Sequence, residues 1–205
     1  MPIRDPSQLS SLSFKNRRKT WRRQEDRQLL QRELELEAAR RISRALFQQL
    51  TVEDIVAQIL HTALEVVGAE AGSVLLADPG SKQLVFRHVI GEKAERLKGK
   101  FIPWNKGIAG SVYQSGEPSL VPDASQDQRH HAAVDMLTGY KTRDMFTLPL
   151  KRWGGEPIGV LQILNETEGR LDENDLAILT IISAFSAQAI EHARLVEGSR
   201  PAGKT

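Results

Sequence analysis

The 205-residue chain holds 28 Lys+Arg against 26 Asp+Glu, a formal net charge of +2, and its 40% hydrophobic content suffices for one domain with a core and an appendage. So balanced a charge commits the chain to neither nucleic acid nor membrane as a partner. Cysteine is absent, which excludes disulfides, thiolate metal sites, cysteine nucleophiles and thioether-linked cofactors.

Residues 1–13 are polar, contain two prolines and lack periodicity, so a disordered N-terminus is expected. The chain start has no apolar signal-peptide centre, and no run approaches the ~18 apolar residues of a membrane span. The expectation is a soluble, cytoplasmic protein. Residues 14–45, "FKNRRKTWRRQEDRQLLQRELELEAARRISRA", hold neither Gly nor Pro and are rich in helix formers. Leu30, Leu34, Ala38, Ile42, Ala45 and Leu46 recur at three- and four-residue steps, giving a narrow apolar stripe on a charged rod. Such a helix is expected to pair with another, in coiled-coil fashion. Its basic start, Lys15 to Arg23 with Trp21 inside it, reads first as a solvated helix face. Contact with nucleic acid or anionic lipid is the alternative, without any accompanying DNA-reading unit.

A second helix begins after Thr51. Thr51 and Asp54 have capping-box spacing, Leu50 and Ile55 the spacing of a hydrophobic staple, and Gly68 marks the end. Its apolar residues, from Val52 through Val67, form a wide core-facing side. Ser73–Ala77 and Leu84–Val89 are β-rich runs joined by "DPGSK", a turn sequence, and predict a hairpin. A short helix follows from about Gly107 to Gln114, stopped at Gly116, then strands at Ser119–Val121, Met145–Leu150 and "PIGVLQILN". The last helix opens at Asp172, with Asp175 in its first turn, and is apolar around so much of its circumference that it must meet a sheet and a second partner. Residues 196–205 read as a flexible tail. The order of elements predicts a mainly antiparallel α+β domain with terminal helices on one face of the sheet.

The motifs "GIAGSVYQSGEPSLVPDASQD", "TGYKTRDMFTLPL", "PIGVLQILNE" and "LDENDLAILTIISAFSAQAIEHARL" together resemble a GAF domain over residues 46–195. The resemblance implies a six-stranded antiparallel sheet with a ligand pocket on one face and, on the other, helices that pair in dimers. Within the family, "DQRHHAAVDMLTGYKTR" is similar to the cyclic-nucleotide-binding GAF domains of phosphodiesterases and adenylyl cyclases. Asp127, Arg129, Val134, Asp135, Thr138, Gly139, Tyr140, Thr142 and Arg143 match their pattern; His130 stands where Phe is usual. Carried over, the resemblance implies cAMP or cGMP as ligand. The backbone of Ile108 and Ala109 would lie near its phosphate, Ser73, Thr138 and Thr142 would supply hydroxyls, and Asp127 would belong to the same wall. His130 would close over the base, and Gln162 would face the pocket from the sheet. Downstream, "NETEGRLDEND" keeps Asn165 but has Glu166 in place of the family's Lys and Leu171 in place of its aromatic.

The same stretch also has a plain reading, in which its Asp and Thr residues cap and turn a polar loop and Asp135 pairs locally with Arg143. Adjacent His130 and His131 lack companions at metal-ligand spacing, so no metal site is expected. No catalytic residues are expected either: no nucleophile elbow is present, and the cysteine chemistry of the family's free methionine sulfoxide reductases has no counterpart. Two functions remain. One is a small-molecule sensor that signals through a helical homodimer to a downstream protein; the other is a dimerisation or protein-interaction module that binds no ligand.

Overall fold

The computed structural model describes Leu36, Arg40 and residues 51–92, 94–129, 141–152, 154–167 and 172–199. The chain divides into two units, Met1–Glu37 and Ala38–Thr205. Apart from Leu36 and Arg40, both helical, the expected N-terminal rod lies outside the described residues, as do the expected disordered N-terminus, residues 200–205 of the expected tail and the Leu50 staple.

Helix α1 spans Val52–Val67, and its start follows the sequence signal closely. Thr51 Oγ1 accepts from the Asp54 N–H at 3.2 Å, and Asp54 Oδ2 accepts from the Thr51 N–H at 3.1 Å. Two donors with no intrahelical partner are thereby satisfied. Gly68 closes the helix at φ 63°, a left-handed conformation that glycine adopts at no steric cost.

Six strands follow: β1 Ala69–Asp78, β2 Gln83–Ile90, β3 Phe101–Pro103, β4 Ser119–Val121, β5 Met145–Leu150 and β6 Gly159–Glu166. They form one sheet in the order β3-β2-β1-β6-β5-β4, every neighbouring pair antiparallel. The β1–β2 turn is built by Asp78, whose Oδ1 accepts from the Gly80 N–H at 3.0 Å and whose Oδ2 accepts from Ser81 Oγ at 2.6 Å. These bonds hold the Asp78 carboxyl below its ordinary pKa. Helix α2, Gly107–Ser115, sits between β3 and β4, and α3, Glu173–Ser199, ends the described chain. Asp172 caps α3 reciprocally: its Oδ1 accepts from the Asp175 N–H at 3.1 Å and its N–H donates to Asp175 Oδ2 at 2.9 Å.

Strand alternation divides the core in two. Val74, Leu76, Phe146, Leu148, Leu150, Leu161 and Ile163 point toward α1 and α3, where they meet Ile59, Leu60, Leu179, Ile182 and Ile190. Leu75, Leu84, Phe86, Met145 and Val160 point the other way, against Ile108, Ala109 and Val112 of α2. Full burial of each large side chain in these clusters contributes about 1.5–3 kcal/mol. The C-terminal turns of α3 reach the start of α1, where Glu197 Oε1 accepts from the Val52 N–H at 3.0 Å. On the sheet side, Ser183 Oγ donates to the Pro149 carbonyl at 2.6 Å.

The last helix continues through Ser199, into the segment expected as a tail. One expectation needs correction: the sequence is not free of membrane-length apolar stretches, because Asp175–Gly198 is long and apolar enough by length and composition. Its Leu179, Ile182, Ala187, Ala189 and Ile190 are buried, so here that apolarity serves packing on the sheet.

Candidate ligand-binding face

The face of the sheet opposite α1 and α3 carries a transverse polar row. Ser119 pairs with Thr147, Thr147 with Gln162, and Gln162 with Ser73, on β4, β5, β6 and β1 in turn. Directly paired residues of antiparallel strands share a face, so these four side chains line up across an otherwise apolar surface. Ser73 Oγ donates to Gln162 Oε1 at 3.3 Å, and Gln162 Nε2 donates to Thr147 Oγ1 at 3.3 Å. Ser73 and Thr147 are buried, whereas Gln162 keeps partial access to solvent.

Helix α2 packs over β5 and β6 on this same side. It starts at Gly107, φ 70°, after Lys106, and no side chain caps it among the described residues. Its first-turn N–H groups thus form a partial positive charge that suits an anion. Ile108 and Ala109 occupy that first turn with buried side chains, so only their backbone is available for such a role. Gly110 lets the helix sit this close to the preceding loop: a Cβ there would lie 2.9 Å from both the Asn105 carbonyl carbon and the Trp104 oxygen. Trp104 stacks on Tyr113 with ring centroids 5.7 Å apart, at the margin of the apolar cluster.

The polar segment beyond β4 is anchored at both ends. At its start, Arg129 grips Asp127: Oδ1 accepts from the Arg129 N–H at 2.8 Å and from Nε at 3.0 Å, and Oδ2 accepts from Nη2 at 2.6 Å. The guanidinium also donates to Ser119 Oγ at 3.2 Å and Ser111 Oγ at 3.5 Å, linking β4 to α2. Asp127 therefore works here as the holder of Arg129. At the other end, Asn165 Oδ1 accepts from the Arg143 N–H at 2.8 Å while its Nδ2 donates to the Lys141 carbonyl at 3.1 Å. Arg143 extends to Glu70 at 3.2 Å and to the Glu166 carbonyl at 3.2 Å. Thr142, between these anchors, is buried.

Of the residues singled out from the sequence, Ser73 and Gln162 meet directly, and Ile108 and Ala109 lie on the same side of the sheet. Asp127 reaches that face through Arg129, which donates to Ser119, and Thr142 is buried between Lys141 and Arg143. His130 and Thr138 lie outside the described residues, as does Asp135. Three contributors went unnoticed in the sequence. Thr147 was detectable, since alternation in "MFTLPL" puts it on the face of Met145. Ser111 and Ser119 carry no sequence signal that would bring them to one arginine.

The sequence model of one family, described as GAF domain, matches residues 49–191. Over 192 residues, 87% of its length, the chain is 30% identical to a dual 3′,5′-cyclic-AMP and -GMP phosphodiesterase 11 of Drosophila melanogaster. It is 42% identical over 101 residues, 48% of its length, to a dual phosphodiesterase 11A of Takifugu rubripes. The matches span only 13% and 11% of those proteins. Among solved structures, the GAF domain of a phosphoenolpyruvate-protein phosphotransferase from Coxiella burnetii covers 80% of this chain and 96% of its own, at TM-score 0.70 and 19% identity. A free methionine-R-sulfoxide reductase from Neisseria meningitidis superposes at TM-score 0.64 and 23% identity, covering 82% of this chain and 92% of its own. At such identities these likenesses concern the fold alone. With the family model matching well over half of its residues, the chain belongs to the GAF domain family.

Proposed function

We propose that this chain is a non-catalytic sensory module that binds a 3′,5′-cyclic nucleotide, cAMP or cGMP, and passes occupancy to its terminal helices. The carrying observation is the juxtaposition of an uncapped helix start with a polar row on one apolar sheet face. The first supplies N–H groups for a phosphate, and the second supplies hydrogen bonds for a ring. Likeness to a segment of cyclic-nucleotide phosphodiesterases supports the choice of ligand. The described ends of the polar segment, Asp127 with Arg129 and Lys141 to Arg143, are tied to the same sheet. Ligand contacts would favour one arrangement of the sheet, a population shift felt through β5, where Thr147 faces the ligand side and the Pro149 carbonyl holds Ser183 of α3. Output would require a second copy and a downstream protein. Calorimetry of the full chain against cyclic mono- and dinucleotides tests the reading: no binding tighter than about 100 μM would reject the nucleotide sensor.

A module that only pairs helices is the second reading. It is favoured by the outer face of α3, where Ile181, Phe185 and Leu195 stand exposed. Under it, α3 would dimerise with no dependence on any small molecule.

A further inference from the structure

The first turn of α1 is capped from two directions. Thr51 and Asp54 satisfy each other's N–H groups, three positions apart in sequence. The N–H of Val52 donates instead to Glu197 Oε1 on α3, across 145 positions. A carboxylate at that place also opposes the positive end of the α1 dipole, which strengthens the bond. Val52 is 6% exposed, so little water stands ready to replace this acceptor. The part of α3 that supplies it is held differently from the rest of the helix. Up to Ala193, α3 keeps one side buried, with Ala187, Ala189, Ile190 and Ala193 in the core. Glu191 in this part pairs with Arg152, just past β5, at 2.6 Å. Beyond Ala193, residues Arg194 to Gly198 are all exposed, and Gly198 is a poor helix former. A last turn with so little burial of its own frays unless something outside it holds it.

We propose that Glu197 is a latch: its carboxylate clamps the last turn of α3 to the first turn of α1, and that turn detaches when the bond is broken. The two states differ by one charge-assisted hydrogen bond and one helical turn. In the closed state, Arg194–Ser199 are helical and the direction in which the chain leaves α3 is set by α1. In the open state the turn is released, while α1 keeps its own start through Thr51 and Asp54. Because the acceptor is a single carboxylate on an exposed turn, removing its charge or its reach opens the latch without disturbing the core. The contact lies away from the polar row of the sheet, so this inference is independent of any ligand.

The test is amide hydrogen exchange of the full chain at neutral pH. Glu197→Ala should speed exchange of the Val52 amide and of residues 194–199 by about 10-fold or more. Amides of β1, β5 and β6 should change by less than about 2-fold. Glu197→Gln keeps an acceptor oxygen and loses the charge, so its effect on the same amides should fall between those of the unaltered chain and Glu197→Ala. Glu53→Gln is the control: it removes a carboxylate from the same turn of α1, where Glu53 lies 3.7 Å from Arg87, and leaves Glu197 in place. It should change the last turn of α3 by less than about 2-fold. Residues 194–199 that exchange at unprotected rates in the unaltered chain, or that do not respond to Glu197→Ala, would overturn the proposal. So would a speeding of the whole sheet together with the last turn, which would mean lost global stability. An equal effect from Glu53→Gln would overturn it as well, because negative charge near α1, and not this bond, would then hold the turn.

Discussion

Asn165 holds Arg143 by its backbone: the Arg143 N–H donates to Asn165 Oδ1 at 2.8 Å, while Asn165 itself sits at φ 54°. Asparagine tolerates this left-handed conformation better than most residues. Its side chain then ties two points of the polar segment, the Arg143 N–H and the Lys141 carbonyl, to the end of β6. Asn165→Ala loses both bonds and keeps the conformational cost, so it should destabilise the domain by about 2–4 kcal/mol. Asn165→Gly relieves the backbone and should recover part of that loss without restoring the anchor. Urea denaturation of the two variants measures the difference, and equal midpoints would show that conformation contributes nothing.

His88 gives the domain a pH dependence. It sits partly buried beside a register shift in the β1–β2 ladder, its ring 6.1 Å from that of His61 on α1. Burial lowers its pKa from the ordinary 6.5, the His61 and Lys98 charges lower it further, and Glu95 opposes them. In this window the unfolded chain binds more protons than the folded one, so stability rises with pH. The contribution is fully present above about pH 6.5 and is lost as pH falls through the folded-state value. Thermal denaturation between pH 5 and 8 should show this fall, and His88→Gln should flatten it. An unchanged slope in the variant would assign the dependence elsewhere.

The outer face of α3 is where a second copy is expected. Ile181 is 40% exposed, Phe185 47% and Leu195 71%, spacings that place them along one side of the helix. Ile181→Glu with Phe185→Glu should turn a dimer into a monomer in light scattering at tens of micromolar while leaving the fold intact by circular dichroism. A dimer that survives both changes would move the interface off α3. Truncation after residue 45 separates the contribution of the N-terminal rod: if pairing rests on it, the shortened domain dissociates.

Gly159 marks the tightest approach among the described glycines. A Cβ there would lie 2.1 Å from the Leu75 carbonyl oxygen, with Leu76 Cα at 3.0 Å. The obstacle is backbone of the central strand, which cannot turn aside as a side-chain tip would. Gly159→Ala should cost about 3 kcal/mol or more, at the upper end for overpacking. Gly154→Ala, which meets nothing within 4 Å but has φ 70°, isolates the conformational penalty. If the two variants unfold at the same urea concentration, close packing at Gly159 is not what constrains the sheet.

Much of this architecture is written in local patterns. Thr51, Asp54 and Gly68 delimit α1 because caps and left-handed stops are chemistry between residues a few positions apart. Ser119–Val121 and Met145–Leu150 have the bounds read from the sequence, since β-branched and apolar runs between turn signals mark buried strands. Strand β3 escaped that reading because Phe101–Pro103 is only three residues long and includes a proline; its pairing with β2 makes it a strand.

The sequence alone determined the main elements other than β3, the two-sided apolarity of the last helix and the polar character of the segment from Asp127 to Arg143. Tertiary structure decided the partners. Arg143 pairs with Glu70, 73 positions away, and Gln162 with Ser73, 89 positions away. Helix caps act over three or four residues and announce themselves by spacing. A transverse row across a sheet depends on the register of four strands, and no one of those strands encodes that register by itself.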